Sequence, residues 1–364
     1  MKKVGILFGG KSAEHEISLL SAKNIHDAID RTKFDPVLIG IDKTGRWLLN
    51  DASQFLLNAE NPALVSLNKN GRTVMLRPDN SGLLSCGGQD NVCLDAVFPV
   101  LHGPFGEDGT IQGFLKLANI PFVGSSVLGS AVGMDKDVMK RLLRDAGIPI
   151  GKFLSYKSND IMPSFTEVKA ALGTPVFIKP ANMGSSVGIS KVHDEEQLEA
   201  ALKDAFLYDN KIIIEEFIPG REIECAVLGN ENPAASIPCE VIPLRDFYSY
   251  DAKYIDEKGA SLEIPAKIDM ETTKRIQELA VKVFRVLCCE GLSRVDFFLK
   301  KNIVTGADDI IVNEINTMPG FTRISMYPKM WEASGISYTD LITRLIELAI
   351  KRFEKESKLK TSVV

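Results

Sequence analysis

Two short runs near the carboxyl end place hard oxygen ligands and a guanidinium at a spacing suited to phosphoryl transfer. LSRVDFFL (292–299) is followed by the polar turn TGADD (305–309) and then by IIVNEINT (310–317). Both apolar runs are rich in β-branched and aromatic residues around a glycine-containing turn, which predicts a pair of strands. Side chains alternate along a strand, so Arg294 and Asp296 share one face, and Glu314 and Asn316 share one face of the neighbour. If the faces coincide, Asp296, Glu314 and Asn316 form an oxygen cluster beside Arg294. Mg²⁺ takes such ligands and completes its shell with phosphates and water. A solvated hairpin face is the competing reading. It fits poorly, because Asn and Glu alternate with Ile and Val and lead directly into Met318-Pro319-Gly320.

A second chemical signal is IKPANMGSSVG (178–188). Lys179 closes the apolar run of Val176, Phe177 and Ile178, and Pro180 bars an interior strand from continuing. The Gly/Ser loop that follows can turn backbone N–H groups toward phosphate oxygens. IIIEEFI (212–218) then supplies a strand whose acidic end offers contacts to an adenine, with Glu222 close enough for a ribose. LHGPFGEDG (101–109) follows a buried strand and precedes a helix, where ligands bind in open α/β sheets. His102 there reads equally as a structural histidine or a functional one.

GILFGGKS (5–12) matches the P-loop pattern GxxxxGK[ST], but the match is only literal. Ile6, Leu7 and Phe8 are the hydrophobic strand itself, not a phosphate-cradling loop. Gly9 and Gly10 read as a strand-to-helix turn that places Glu14 at a helix N-terminus. Glu14 then either complements the helix dipole or holds a substrate ammonium.

These signals need elements to carry them. Strands are expected at Lys3–Phe8, Asp35–Ile41, Ala96–Leu101 and Pro121–Val123, and helices at Ser18–Ile29, Thr110–Ala118 and Asp135–Ala146. That alternation predicts an open, largely parallel α/β sheet, with residues 79–91 as a turn-rich surface excursion. Further on, strands are expected at Val176–Lys179, Ile212–Phe217 and Glu222–Leu228, and helices at Glu195–Ala205 and Ser337–Phe353, with a frayed tail. The stretch 243–262 has little periodicity, and long loops of this kind are usually functional.

The ordered motifs GGKSAEHEIS (9–18), HGPFGEDG (102–109), MDK (134–136), KPANMGSSVG (179–188), EEF (215–217), DAKY (251–254), RVD (294–296) and NEINTMPGFT (313–322) together resemble the ATP-grasp superfamily. The similarity to the D-alanine–D-alanine ligases is much closer and runs over nearly the whole chain. It implies an α/β, three-domain ATP-grasp architecture: an open parallel α/β domain over 1–128, a central subdomain over 129–220 and a C-terminal subdomain over 221–364. It implies ATP between the second and third units. Lys136, Lys179 and Ser186 would contact its phosphates, and Glu215, Glu216, Phe217 and Glu222 its nucleoside. Asp296, Glu314 and Asn316 would hold two Mg²⁺, with Mn²⁺ as a substitute. Arg294 and the backbone near Gly320 would stabilise the acyl phosphate and the tetrahedral intermediate. Glu14, Ser185 and Tyr254 would form a network around the first D-alanine, and His102, Lys253, Ser325 and Met326 would contact substrate or phosphate. The 243–262 loop would cover the site, and the enzyme would be a cytoplasmic homodimer.

Ligation to D-lactate on the same fold is a rival reading, since depsipeptide ligases differ where Lys253-Tyr254 stands intact here. A nucleotide-binding module without catalysis is another, opposed by the intact Lys136, Lys179, Arg294, Asp296, Glu314 and Asn316. Composition excludes other classes. At 364 residues and net charge −5 the chain has no basic field for nucleic acid, and no apolar run reaches the roughly 18 residues of a membrane helix. Its amino-terminal apolar stretch is too short for a signal peptide. Four dispersed histidines and six cysteines without a CxxC pair argue against zinc. Cys225, Cys288 and Cys289, in apolar segments, are expected as buried free thiols.

Overall fold

The computed structural model describes residues 1–78, 82–86, 89–243, 260–302, 306–322 and 324–360. Its first sheet is built on β1 (Lys2–Gly9), whose residues from Val4 to Gly9 are all buried. Burial on both faces suits a strand lying between parallel neighbours. Those neighbours are β2 (Phe34–Ile41) on one side and, on the other, a later strand, Ala96–Pro99. Beyond β2 the sheet turns antiparallel through β3 (Trp47–Asn50) and β4 (Arg72–Thr73).

The excursion expected at 79–91 is instead partly strand. β5 (Met75–Leu76), β6 (Leu83–Cys86) and β7 (Gln89–Cys93) form a small antiparallel sheet. Leu76 and Leu84 anchor it by packing into a core with Leu7, Ile39 and Leu94. Two buried leucines across three strands are too sparse a pattern to stand out among turn residues. Ala96–Pro99, now β8, completes the order β8-β1-β2-β3-β4. The short strand expected at Pro121–Val123 is a single parallel bridge from Phe122 to Val97.

α1 (His15–Ala28) follows β1 through the Gly9-Gly10 turn. Gly9 has φ +91°, and a Cβ there would sit 2.2 Å from the Ile41 carbonyl oxygen, so only glycine fits. α2 (Thr110–Leu117), α3 (Val127–Met134) and α4 (Lys136–Asp145) carry the chain onward. Asp135 caps α4 by accepting from Val138 N at 3.0 Å.

The second sheet is antiparallel, in the order β9-β12-β10-β11, from β9 (Phe153–Lys157), β10 (Val176–Pro180), β11 (Ser190–Val192) and β12 (Lys211–Glu216). α5 (Phe165–Leu172) and α6 (Glu195–Ala205) bury Val168, Leu198 and Leu202 against Val176, Ile178 and Ile212. β10 stops at Pro180, as its missing N–H requires.

The third sheet runs β15-β14-β13-β16-β17, from β13 (Arg221–Gly229), β14 (Cys239–Pro243), β15 (Ala260–Glu263), β16 (Gly291–Lys301) and β17 (Asp308–Asn316). A short strand, Ala234–Ala235, pairs alongside β13. In β16, Val295, Phe297 and Leu299 are buried while Arg294, Asp296 and Phe298 are only partly covered. The buried set packs on Val283 and Phe284 of α7 (Met270–Val286), so the opposite face is left for chemistry. Most of the 243–262 stretch, residues 244–259, lies outside the described residues, and its far end is β15.

α8 (Met326–Ala333) and α9 (Tyr338–Glu356) return to the first sheet. Leu341, Ile342, Leu345 and Ile346 share a core with Phe98, Leu19 and Ile25. Phe321 meets Phe98 edge-on at 5.5 Å. α9 outlasts the expected end at Phe353 by three residues. Cys225 and Cys289 are buried as expected, but Cys288 is exposed. It sits just past the end of α7 with φ +55°, where the chain reverses. Among the described residues no helix is long and apolar enough to cross a membrane.

Candidate active site

Two adjoining cavities open where the three sheets meet. One is lined by Glu14, Lys136, Ser185, Arg294, Asp296, Glu314, Asn316, Gly320, Ser325 and Met326. The other, of about 410 Å³, lies between the second and third sheets. They share Lys136, Met183, Gly184, Ser185, Glu222 and Glu314, so they form one continuous cleft.

Strand register builds its floor. Arg294 pairs with Asn316 and Asp296 with Glu314, so the two faces coincide. The register adds a residue that spacing alone did not reveal: Glu224 of β13 pairs with Asp296. Three carboxylates, Glu224, Asp296 and Glu314, thus cross three neighbouring strands in a row. Arg294 offsets part of that charge. Its Nε and Nη2 donate to Asp296 Oδ1 and Oδ2, each at 2.7 Å, and Glu224 Oε2 lies 3.1 Å from Nε. Asn316 Oδ1 accepts from Met318 N at 3.0 Å, which fixes the amide. Asp296, Glu314 and Asn316 are all hard oxygen donors and so fit Mg²⁺. Among the described residues no cluster of three or more His, Cys, Asp or Glu is arranged as a metal cage.

The second cavity is cationic at its inner end. Lys136 Nζ donates to the Met183 carbonyl at 2.6 Å and lies 3.7 Å from Glu314. Glu215 is gripped from both sides: Oε1 lies 2.6 Å from Lys140 Nζ and Oε2 2.6 Å from Lys179 Nζ. Burial opposes ionisation of Glu215, but the two ammonium groups prevail and bring its pKa down to about 2. Burial likewise opposes charge on Lys179, yet Glu215, Glu314 and Glu222 raise its pKa. The stability contributed by ionised Glu215 is therefore complete above the ordinary carboxylate range and is lost as pH falls toward about 2.

In the loop after β10, Ser185 and Ser186 adopt left-handed backbone, φ +51° and +61°, which costs energy outside glycine. Ser185 Oγ donates to Glu14, joining the Gly/Ser loop to the start of α1. Glu14 is the N-cap residue of α1, makes no side-chain capping bond to that helix, and lines the cleft. At the outer end Phe217 is 40% exposed beside Phe177, with Lys191 Nζ 4.6 Å from its ring centroid. This is an open aromatic edge on which a base can lie. Glu216 Oε1 accepts from Lys152 N at 2.7 Å, so its carboxylate also ties β12 to the chain entering β9.

His102 is set behind the cleft wall. Its Nε2 lies 3.1 Å from Ser21 Oγ, its Nδ1 3.1 Å from the Met318 carbonyl, and Glu107 is 3.7 Å away. Burial works against the imidazolium, but Glu107, Glu14 and the Met318 carbonyl raise its pKa. Ser325 Oγ accepts from Thr322 N at 3.0 Å, and a Cβ on Gly320 would lie 2.8 Å from it. Gly320 and Ser325 thus stand side by side on the cleft wall. Lys253 and Tyr254 lie outside the described residues.

The GGKS turn is no phosphate loop. Ile6, Leu7 and Phe8 are fully buried in β1. Lys11 lies along Gly45 and lines a separate cavity beside the first sheet, apart from Lys136 and Lys179. Lys11→Ala is therefore expected to leave the KM for ATP unchanged. A rise of about tenfold, equivalent to 1.4 kcal/mol, would restore the P-loop reading.

Sequence reasoning missed Lys140, Glu224 and Glu107. Lys140 was within reach, since it follows Lys136 by one helical turn in MDKDVMK. Glu224 needed the strand register.

Both halves of the chain match family models, described as D-ala D-ala ligase N-terminus over residues 3–125 and D-ala D-ala ligase C-terminus over residues 142–347. The D-alanine–D-alanine ligase of Oceanobacillus iheyensis is 57% identical over 99% of this chain and 98% of that protein. D-alanine–D-alanine ligase A of Escherichia coli K12 is 53% identical over 99% of each. Among solved structures, the D-alanine–D-alanine ligase from Coxiella burnetii superposes with a TM-score of 0.84 at 37% identity, covering 98% of both chains. The VanG D-Ala:D-Ser ligase of Enterococcus faecalis gives 0.82 at 39%, covering 96% of this chain and 99% of that one.

Proposed function

The chain belongs to the D-alanine–D-alanine ligase family, and from that premise we propose how its cleft joins two D-alanine molecules. The activity is ATP-dependent ligation to D-alanyl-D-alanine through D-alanyl phosphate, releasing ADP and phosphate, in peptidoglycan precursor synthesis. ATP occupies the second cavity, its base against Phe217 and the acidic end of β12, its ribose at Glu222 and its phosphates between Lys136, Lys179 and the loop bearing Ser186. Asp296, Glu314 and Asn316 would hold two Mg²⁺, with Mn²⁺ as a substitute; when bound, these offset phosphate charge and polarise the P–O bonds.

Glu14, held by Ser185 and completed by Tyr254, fixes the ammonium of the first D-alanine so that its carboxylate faces the γ-phosphorus. That carboxylate attacks, the bond to ADP breaks, and Arg294 with the lysines balances charge on the transferring group. The amine of the second D-alanine, held near Lys253, Ser325 and Met326, then attacks the acyl carbon. Arg294 and the backbone at Gly320 face the oxyanion, and its collapse expels phosphate. His102, through Glu107 and Met318, positions the chain around this step. The 243–262 loop excludes water from the acyl phosphate. The units are 1–128, 129–220 and 221–364, and the working enzyme is a homodimer in the cytoplasm, where ATP is supplied.

The observation that carries this reading is the register placing Arg294, Asp296, Glu314 and Asn316 on one face, opposite Lys136 and the Glu14–Ser185 pair. Its test is ADP release and product analysis with D-alanine alone, then with L-alanine, D-serine or D-lactate added. D-alanyl-D-alanine is expected as the dominant product in every mixture. A depsipeptide or a mixed dipeptide exceeding it would overturn the choice of acceptor.

A further inference from the structure

Lys140 stands one helical turn after Lys136 on α4, and both residues line the second cavity. Lys140 is only 2% exposed, a costly place for a cation unless it is paired. Its pairing is with Glu215 Oε1 at 2.6 Å, while the other oxygen of that carboxylate takes Lys179 at the same distance. We propose that Lys140 is a positioning residue for the nucleotide: by sharing Glu215 it leaves the Lys179 ammonium available to phosphate. This deepens the reading of the second cavity as the ATP site and rests on it.

Counting charge supports the assignment. Glu215 with Lys179 alone is a neutral pair, and a phosphate approaching it would compete with a buried carboxylate for the same ammonium. With Lys140 the triad carries one net positive charge. The cavity wall as a whole holds four lysines, at 136, 140, 179 and 191, against four glutamates, at 215, 216, 222 and 314. Without Lys140 the wall is net negative before any phosphate arrives. Geometry adds a second effect. Two ammonium groups on opposite oxygens fix the plane of the Glu215 carboxylate, and hence the end of the Lys179 side chain.

The test is calorimetric titration of the full-length enzyme with ADP and Mg²⁺, together with KM values for ATP and D-alanine. Lys140→Met is expected to weaken ADP by at least about tenfold and to raise the KM for ATP similarly, with the KM for D-alanine at saturating ATP unchanged. Lys140→Arg should restore affinity. The double variant Lys140→Met/Glu215→Gln keeps an oxygen at position 215 but removes both buried charges. It should bind ADP within about threefold of Glu215→Gln alone, less than the 1.4 kcal/mol that a tenfold change represents, because Lys140 acts only through the charge on Glu215. That comparison stands even if Lys140→Met alone does not fold. Lys179→Met separates the two readings. If it weakens ADP and Lys140→Met does not, Lys140 is structural and the inference fails while the ATP site stands. If Lys179→Met also leaves ADP binding intact, the site reading fails and the inference with it. Equal losses for ATP and D-alanine, or a double variant as far below Glu215→Gln as Lys140→Met is below wild type, would mark a packing defect and overturn the proposal.

Discussion

Glu314→Gln is expected to lower kcat by on the order of 10³-fold, about 4 kcal/mol of transition-state stabilisation, while the protein stays folded. Glu314 pairs with Asp296 across β16 and β17 and lies 3.7 Å from Lys136. Its side chain is 31% exposed, so removing its charge costs about 1 kcal/mol or less of stability. Catalysis of phosphoryl transfer is mostly positioning and charge compensation, and the substitution deletes charge at that point while keeping shape. Asp296→Asn should be as severe for turnover. It should cost more stability, because Asp296 is the bidentate partner of Arg294. Steady-state kinetics beside thermal unfolding separates the two effects. Near-normal kcat in Glu314→Gln would remove Glu314 from the metal site.

Arg294→Met should fail in both respects. On the account given, the guanidinium faces the transferring phosphoryl group and then the oxyanion, a role in which an arginine is worth about 10³–10⁵ in rate. It also separates Glu224 from Asp296, which are direct neighbours across β13 and β16. Its loss leaves two largely buried carboxylates facing each other, and breaking such a network costs about 3–5 kcal/mol. Arg294→Lys distinguishes the roles. A point charge can still sit between the carboxylates and preserve folding, but it cannot reproduce the two-pronged geometry. Kinetics should therefore stay low in Arg294→Lys while the melting temperature recovers. Recovery of both would make Arg294 a structural residue only.

The floor of this cleft was legible in the sequence because strand alternation is strict. Once LSRVDFFL and IIVNEINT read as strands, Arg294 with Asp296 and Glu314 with Asn316 had to share faces, and the register joined them. Gly9-Gly10 could likewise be recognised as a turn, since the apolar Ile6, Leu7 and Phe8 left no room for a phosphate loop. Contacts between distant segments were less accessible. Glu224 sits on the chemical face only because β13 pairs with β16 in one particular register. Lys140 is meaningful only beside Glu215, which lies 75 residues further along. His102 was ambiguous for the same reason, as its partners Ser21 and Met318 come from opposite ends of the chain. The hairpin of β6 and β7 stayed hidden because its anchoring leucine was surrounded by turn-forming residues. Helices α3, α5, α7 and α8 were not anticipated, although α5 carries a complete capping box at Ser164 and Glu167.

The defining step in this cleft is direct phosphoryl transfer to a D-alanine carboxylate. It is tested most directly by supplying D-alanine labelled with ¹⁸O in both carboxylate oxygens, together with Mg²⁺-ATP, and reading the released phosphate by ³¹P NMR. If the carboxylate attacks the γ-phosphorus, the bridging oxygen of the acyl phosphate comes from D-alanine and leaves with phosphorus. Each phosphate formed alongside a dipeptide should then carry one ¹⁸O atom. Unlabelled phosphate accompanying full yield of D-alanyl-D-alanine would contradict the account.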